Sequence, residues 1–160
     1  MLEIPYYKQE EDYTCGPTAV KMVLGFYGVK ESVENLKNKC HVSETKGTTR
    51  ANMIKVLKNF GLHVHAHADA SLEEVGELLK KRKAVVVNFR EPSSNEGHYA
   101  VVRGFKGGKI FLRDPYNGAD FSIKTKEFIA RWFGYHKSIN KNWIMAVSQE
   151  KFTKLIFCRN

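Results

Sequence analysis

The hydrophobic period of this chain changes once, and that change limits the folds open to it. Up to about residue 80 the apolar side chains recur at helical spacing, and from residue 84 they fall in short β-branched runs. Ala19, Val20, Val23, Leu24 and Tyr27 predict a helix from Thr14 to Tyr27 that stops at Gly28. A short helix is expected at about 31–39. Another is expected from Thr48 or Thr49 to Phe60, with Met53, Ile54, Val56 and Leu57 on one side. Ser71 and Glu74 have capping-box spacing and open a fourth, with Leu72, Val75, Leu78 and Leu79 facing inward. Beyond it, Ala84–Phe89 and His98–Phe105 read as strands, and Gly107-Gly108 turns the second into Ile110–Arg113. Asp114 to Gly118 is loop chemistry, Phe121–Ile123 a short strand, 125–133 a helix and Trp143–Val147 a closing strand. Helices first and antiparallel strands after them indicate an α+β fold. At 160 residues, with ordinary apolar (42%) and charged (27%) fractions, the chain is expected to form a single domain over 1–160.

Composition excludes several classes. No apolar run approaches the ~18–20 residues needed to span a bilayer. The opening MLEIPYYKQEED is acidic and broken by Pro5, unlike a secretory signal. Three cysteines, Cys15, Cys40 and Cys158, do not make a disulfide framework, so a reducing, cytoplasmic setting is expected. The net charge of +9 raises nucleic acid or an acidic substrate as partners. It is concentrated, since residues 1–97 carry +1 and residues 98–160 carry +8. The basic residues there are dispersed among aromatics and aliphatics without a nucleic-acid motif, so nucleic acid is not the expected partner.

Four residues carry a chemistry together. Cys15 begins the first helix, followed by Gly16 and Pro17, where free first-turn amides and the helix dipole favour a thiolate. His98 opens a core strand after the polar stretch EPSSNEG, with Gly97 leaving room beside it, and imidazole suits a general base. Asp114 closes the partner strand of the same hairpin. With the turn at Gly107-Gly108, positions 98 and 114 fall at one open end, so a His–Asp contact follows from register. Pro115 restricts the backbone of Asp114. Gln9, six residues before Cys15, is close enough to share an oxyanion pocket with the Cys15 N–H. Each alone has an ordinary structural role; their joint occurrence points to nucleophilic catalysis.

The segments Ile4-Pro5-Tyr6-Tyr7-Lys8-Gln9, Asp12-Tyr13-Thr14-Cys15-Gly16-Pro17-Thr18-Ala19, Met22-Val23-Leu24 and Tyr27-Gly28 resemble the N-terminal motif of C39-like cysteine peptidases. These are relatives of the papain-fold proteases known as leader-cleaving domains of bacteriocin exporters. Gly97 to Phe105 is similar to the family's histidine strand, and Arg113-Asp114-Pro115-Tyr116 to its aspartate turn. The resemblance implies a papain-like fold in which a helical lobe with an N-terminal cysteine helix packs on an antiparallel sheet lobe. It assigns Cys15 as nucleophile, His98 as base and acid, Asp114 as the orienting acid and Gln9 as oxyanion donor, with no metal or organic cofactor. No GxxxxGK[ST] loop occurs, so leader specificity is not carried over with the resemblance.

The expected activity is therefore peptide-bond hydrolysis. The +8 half supplies His98 and Asp114, which predicts a preference for acidic peptides. An acyl or peptidyl transferase using the same site is the alternative, and a non-catalytic module binding peptides or anions is the other. His63, His65 and His67 alternate as on a strand and would share a face within reach of one metal ion. No acidic residue or cysteine lies nearby in sequence to complete that site, so the polar side of an edge strand is the expectation. Cys40-His41 lacks a second ligand pair, and Lys80 to Lys83 reads as a solvated helix end.

Overall fold

The computed structural model describes residues 1–134 and 141–153. Its helices are α1 (Cys15–Phe26), α2 (Val33–Lys39), α3 (Arg50–Asn59), α4 (Leu72–Lys80) and α5 (Thr125–Arg131). Its strands are β1 (His63–His67), β2 (Ala84–Arg90), β3 (Gly97–Lys106), β4 (Lys109–Asp114), β5 (Gly118–Lys124) and β6 (Ile144–Ser148). The strands form one antiparallel sheet in the order β1-β6-β2-β3-β4-β5. The α+β expectation holds, and each expected element is present. β5 is longer than expected, because its first residues also pair with the end of β4 (Asp114 opposite Gly118). Cys158 and part of the basic excess, Lys137, Lys154 and Arg159, lie outside the described residues.

α2, α3 and α4 each begin with a serine or threonine whose hydroxyl accepts the amide three residues on, Ser32 from Asn35, Thr49 from Asn52 and Ser71 from Glu74. α1 differs. Thr14 precedes it but makes no cap, because its hydroxyl is turned back onto the Glu11 backbone. The first turn of α1 therefore keeps its amides unclaimed by a side chain. Ala19, Val20, Met22, Val23 and Leu24 are fully buried, and α1 packs against β3 in the middle of the sheet. β2 and β6 are buried along nearly their whole length, as their unbroken apolar runs require.

Two long-range devices bring the ends of the chain to the sheet. Residues 1–9 run beside the β3–β4 hairpin, tied by Leu2 N–H to the Arg103 carbonyl (2.8 Å), by Arg113 Nε to the Ile4 carbonyl (2.7 Å) and by Gln9 N–H to the Pro115 carbonyl (2.9 Å). Tyr27, just past α1, places its hydroxyl at the Ala84–Val147 pair of β2 and β6. It donates to the Val147 carbonyl at 2.6 Å and accepts from the Ala84 N–H at 3.2 Å. Tyr27→Phe leaves a donor and an acceptor in that join without this partner. We expect it to lower the unfolding free energy by about 1–3 kcal/mol, measured by urea denaturation with an unchanged slope.

Candidate active site

The four residues singled out in the sequence come together at the open end of the β3–β4 hairpin. His98 is the second residue of β3 and lies opposite Phe89 of β2, while Asp114 ends β4. A bulge at Arg103 shifts the β3–β4 register by one residue between the turn and this end. The contact inferred from register nevertheless forms, with His98 Nε2 2.7 Å from Asp114 Oδ1. Both side chains are buried, at 7% and 0% exposure. The rings of Phe89 and Tyr116 meet the imidazole edge to face, at centroid distances of 5.7 and 6.5 Å.

Asp114 is held from several sides. Besides His98, its Oδ1 accepts the N–H groups of Tyr116 and Asn117, each at 2.9 Å, and its Oδ2 accepts Asn117 Nδ2 at 3.2 Å. Tyr6 donates its hydroxyl to the Asp114 carbonyl at 3.0 Å. With Nε2 committed to Asp114, Nδ1 is the imidazole nitrogen left for a second partner, and Cys15 is the other group that acts on the ring. Burial on its own would push the His98 proton off. The hydrogen bonds to Asp114 and Cys15, and the charges of both, overcome that and hold the imidazole at about 10.

Cys15 is half-buried at the start of α1. A Cβ on Gly16 would come within 2.8 Å of Thr48, so only glycine lets the segment before α3 close over the cysteine. Gln9 is fixed by its own N–H on Pro115 and by Nε2 donating to the Glu11 carbonyl at 2.9 Å. Its second Nε2 proton makes no hydrogen bond among the described residues, and its Oε1 is buried without a partner there. Gln9 and His98 line one pocket of about 170 Å³, together with Asp12, Glu91, Ser94, Glu96, Gly97 and Tyr116.

Sequence reasoning missed the residues around this set. Asn88 faces Tyr99 across β2–β3, donates Nδ2 to the His98 carbonyl at 3.1 Å, and accepts Arg50 Nη2 at 2.7 Å. Arg50 also stacks on Trp143, 4.6 Å from the ring centroid. Gly134 sits so close to Asn88 and Arg50 that a side chain there would overlap both. Burial first, and then the charge of Cys15, push the Tyr99 hydroxyl up to about 12 against the pull of Arg50. Its donation to the Thr48 carbonyl at 3.2 Å ties β3 to the segment over Gly16. The polar stretch EPSSNEG is not loose; it is a loop closed on itself by Glu91. A buried polar residue in an apolar strand, as Asn88 is, was the one signal the sequence offered.

The remaining candidates separate from this site. His63, His65 and His67 are half-buried on the edge strand β1, and their ligand atoms do not converge on one point. The fold supplies the acid that local sequence did not: Glu74 of α4 bonds His67 Nε2 at 2.6 Å. Among the described residues one cluster has metal-holding spacing, Glu10, Glu11 and Glu34, and the Lys37 ammonium binds two of its members, Glu11 at 2.7 Å and Glu34 at 3.4 Å. Cys40 is fully buried, its thiol pushed up to about 12 by that burial, so it is inert rather than half of a metal site. Lys80 pairs with Glu77 at the exposed end of α4 as expected, while Lys83 bonds Ser148 Oγ at 2.7 Å.

Residues 1–140 match the peptidase C39-like family. Over 94% of its length the chain is 27% identical to the lactococcin transport/processing ATP-binding protein LcnC-like of Lactococcus lactis subsp. lactis. Over 93% it is 27% identical to the mesentericin-Y105 transport/processing ATP-binding protein MesD of Leuconostoc mesenteroides. It spans about a fifth of the length of these curated relatives, 21% and 20%. Among solved structures it is similar to a double glycine motif protease from an AMS/PCAT transporter in complex with the leader peptide. That match has a TM-score of 0.69 and 26% identity, and covers 91% of each chain. The peptidase domain of Streptococcus ComA superposes with a TM-score of 0.73 at 17% identity, covering 89% of this chain and 96% of that one. The fold is the papain-like one that the resemblance implied.

The raised imidazole gives a direct test. His98 binds its proton more tightly folded than unfolded, where it titrates near 6.5. The stabilisation it confers is complete below about pH 6.5 and is lost as pH rises through about 10. In Cys15→Ala and in Asp114→Asn one of the two supports is removed. The NMR titration midpoint of His98 is expected to fall in both variants, and a midpoint left at the wild-type value would refute the pairing.

Proposed function

The chain belongs to the peptidase C39-like family, a group of cysteine peptidases. On that premise we propose that it hydrolyses a peptide bond with Cys15 as nucleophile, His98 as acid and base, Asp114 as the group orienting His98, and Gln9 as oxyanion donor. The observation that carries this reading is the buried His98–Asp114 pair beside half-buried Cys15, with its imidazole held protonated.

The Cys15 thiolate adds to the scissile carbonyl carbon, and the carbonyl electron pair moves to oxygen. The Cys15 N–H, unclaimed by a cap, and the free Nε2 proton of Gln9 meet that oxyanion. Collapse breaks the C–N bond, and the His98 imidazolium gives its proton to the departing amine, leaving a thioester on Cys15. Neutral His98 then takes a proton from water, whose oxygen attacks the thioester and frees the carboxylic acid. Asp114 keeps Nδ1 of the ring turned to sulfur in both half-reactions.

The substrate class we propose is a peptide segment with small residues before the scissile bond. The support is the similar double glycine motif protease in complex with its leader peptide, together with the tight pocket beside His98. Among the described residues no lysine or arginine lines this pocket, whereas Asp12, Glu91 and Glu96 do. In place of the expected acidic preference we therefore propose a cleft that suits neutral or basic segments.

Three measurements check this reading. Thiol alkylation near pH 7 is expected to label Cys15 well ahead of buried Cys40; equal rates would sink the peptidase assignment. Peptides carrying Gly-Gly and flanked by Lys are expected to be cut faster than Glu-flanked ones at low salt, and the reverse order would restore the acidic preference. Gln9→Ala is expected to lower kcat on the order of 10²–10³-fold while leaving Cys15 alkylation near its wild-type rate.

A further inference from the structure

Behind the His98–Asp114 pair lies a second carboxylate that the proposed chemistry does not use. Glu91, just after β2, is 4% exposed. Its Oε2 accepts Ser93 N–H at 2.9 Å, the Ser93 hydroxyl at 2.6 Å and Ser94 N–H at 2.7 Å. Its Oε1 accepts Asn117 Nδ2 at 3.3 Å, and that same nitrogen donates to Asp114 Oδ2 at 3.2 Å. The backbone of Glu91 closes the loop it opens, through its N–H on the Glu96 carbonyl at 2.9 Å and its carbonyl on Asn95 N–H at 2.8 Å. Glu91, Ser94, Glu96 and Gly97 of this segment line the pocket beside His98.

We propose that Glu91 is a positioning residue: acting through Asn117 it sets the orientation of the Asp114 carboxylate, and through residues 91–97 it sets the adjoining wall of the cleft. The proposal rests on the reading of Cys15 and His98 as the reacting pair. A side-chain amide has two faces of opposite polarity, and its neighbours decide which way it turns. Here Nδ2 of Asn117 lies between two carboxylate oxygens, so both its protons are used and the amide is locked. Burial raises the Glu91 carboxyl, but the donors of Ser93 and Ser94 outweigh it and hold the group at about 2, an acceptor at every working pH.

Glu91→Gln changes polarity with almost no change in shape. The Ser93 and Ser94 donors would capture the new carbonyl oxygen, leaving its NH2 facing Asn117 Nδ2, donor against donor. Asn117 then has to turn, which sets its oxygen against Asp114 Oδ2. The reversal thus reaches Asp114 two side chains away, and the His98 bond loses its alignment.

The test uses Glu91→Gln and Asn117→Ala, singly and combined, in the full chain. The readouts are the His98 titration midpoint, the rate of Cys15 alkylation at pH 7 and urea unfolding. Glu91→Gln is expected to lower the midpoint and slow alkylation roughly tenfold to a hundredfold, the scale on which small misplacements act. The double variant should be no slower than Asn117→Ala alone, because the route runs through Asn117. The proposal fails if Glu91→Gln shifts only the unfolding midpoint, or if the two substitutions multiply. Should Glu91→Gln not fold, Asn117→Ala decides by itself, and wild-type alkylation in it overturns the relay. None of these readouts needs a substrate. A wild-type Cys15 no faster than Cys40 would sink the peptidase reading, whereas a reactive wild type unchanged by Glu91→Gln would sink the relay.

Discussion

The site depends on one buried hydrogen bond, from His98 to Asp114. Taking a carboxylate and an imidazolium out of water costs several kcal/mol for each ion, and their attraction offsets this only where the remaining lone pairs are also filled. Asp114 meets that condition with three donors in addition to His98, all from the two residues that follow Pro115. The consequence is directional. Once Nε2 is committed, the ring has one orientation, and Nδ1 faces the start of α1. A carboxylate in water would leave the imidazole free to turn; this one does not.

The rest of the fold exists around that geometry. α1 lies across β3 with its first turn at His98, and its cap position, like that of α5, carries no side-chain acceptor, whereas α2, α3 and α4 have one. Gly16 permits the approach of Thr48, and Gly134 permits the Arg50–Asn88 contact that anchors the His98 carbonyl from behind. The N-terminal nine residues run beside the β3–β4 hairpin and bring Gln9 to Pro115, the residue after Asp114.

Much of this was legible in the sequence, and the parts that were not share a cause. Helical and β-branched periods report a residue's own element, so the helices and strands were readable, as was the pairing of residues joined by the short Gly107-Gly108 turn. Period does not report a distant partner. That β1 pairs with β6, His63 opposite Ser148, is set by which apolar faces fit, and so is the arrival of Glu74 at His67. The bulge at Arg103 was invisible for a different reason: a bulge inserts one residue without changing the residue types. Glu91 was concealed by its neighbours, because a run rich in Ser, Asn and Pro reads as exposed loop until a buried acceptor is seen to gather those donors.

The charge distribution shows why a total is a poor guide to a cleft. Lys106, Lys109, Lys124 and Lys126 are exposed at the turn end of the β3–β4 hairpin, and His98 and Asp114 sit at its open end. The strand rise of about 3.3 Å per residue separates the two ends by roughly 25 Å, well over twice the Debye length of about 8–10 Å at physiological salt. Arg103 and Arg113, nearer the site, are paired with Glu3 and Asp120. A substrate at His98 is thus screened from these four lysines, while Asp12 and Glu96 stand exposed beside it. Among the described residues the local sign is negative in a strongly basic protein, and the local sign is what a bound peptide meets.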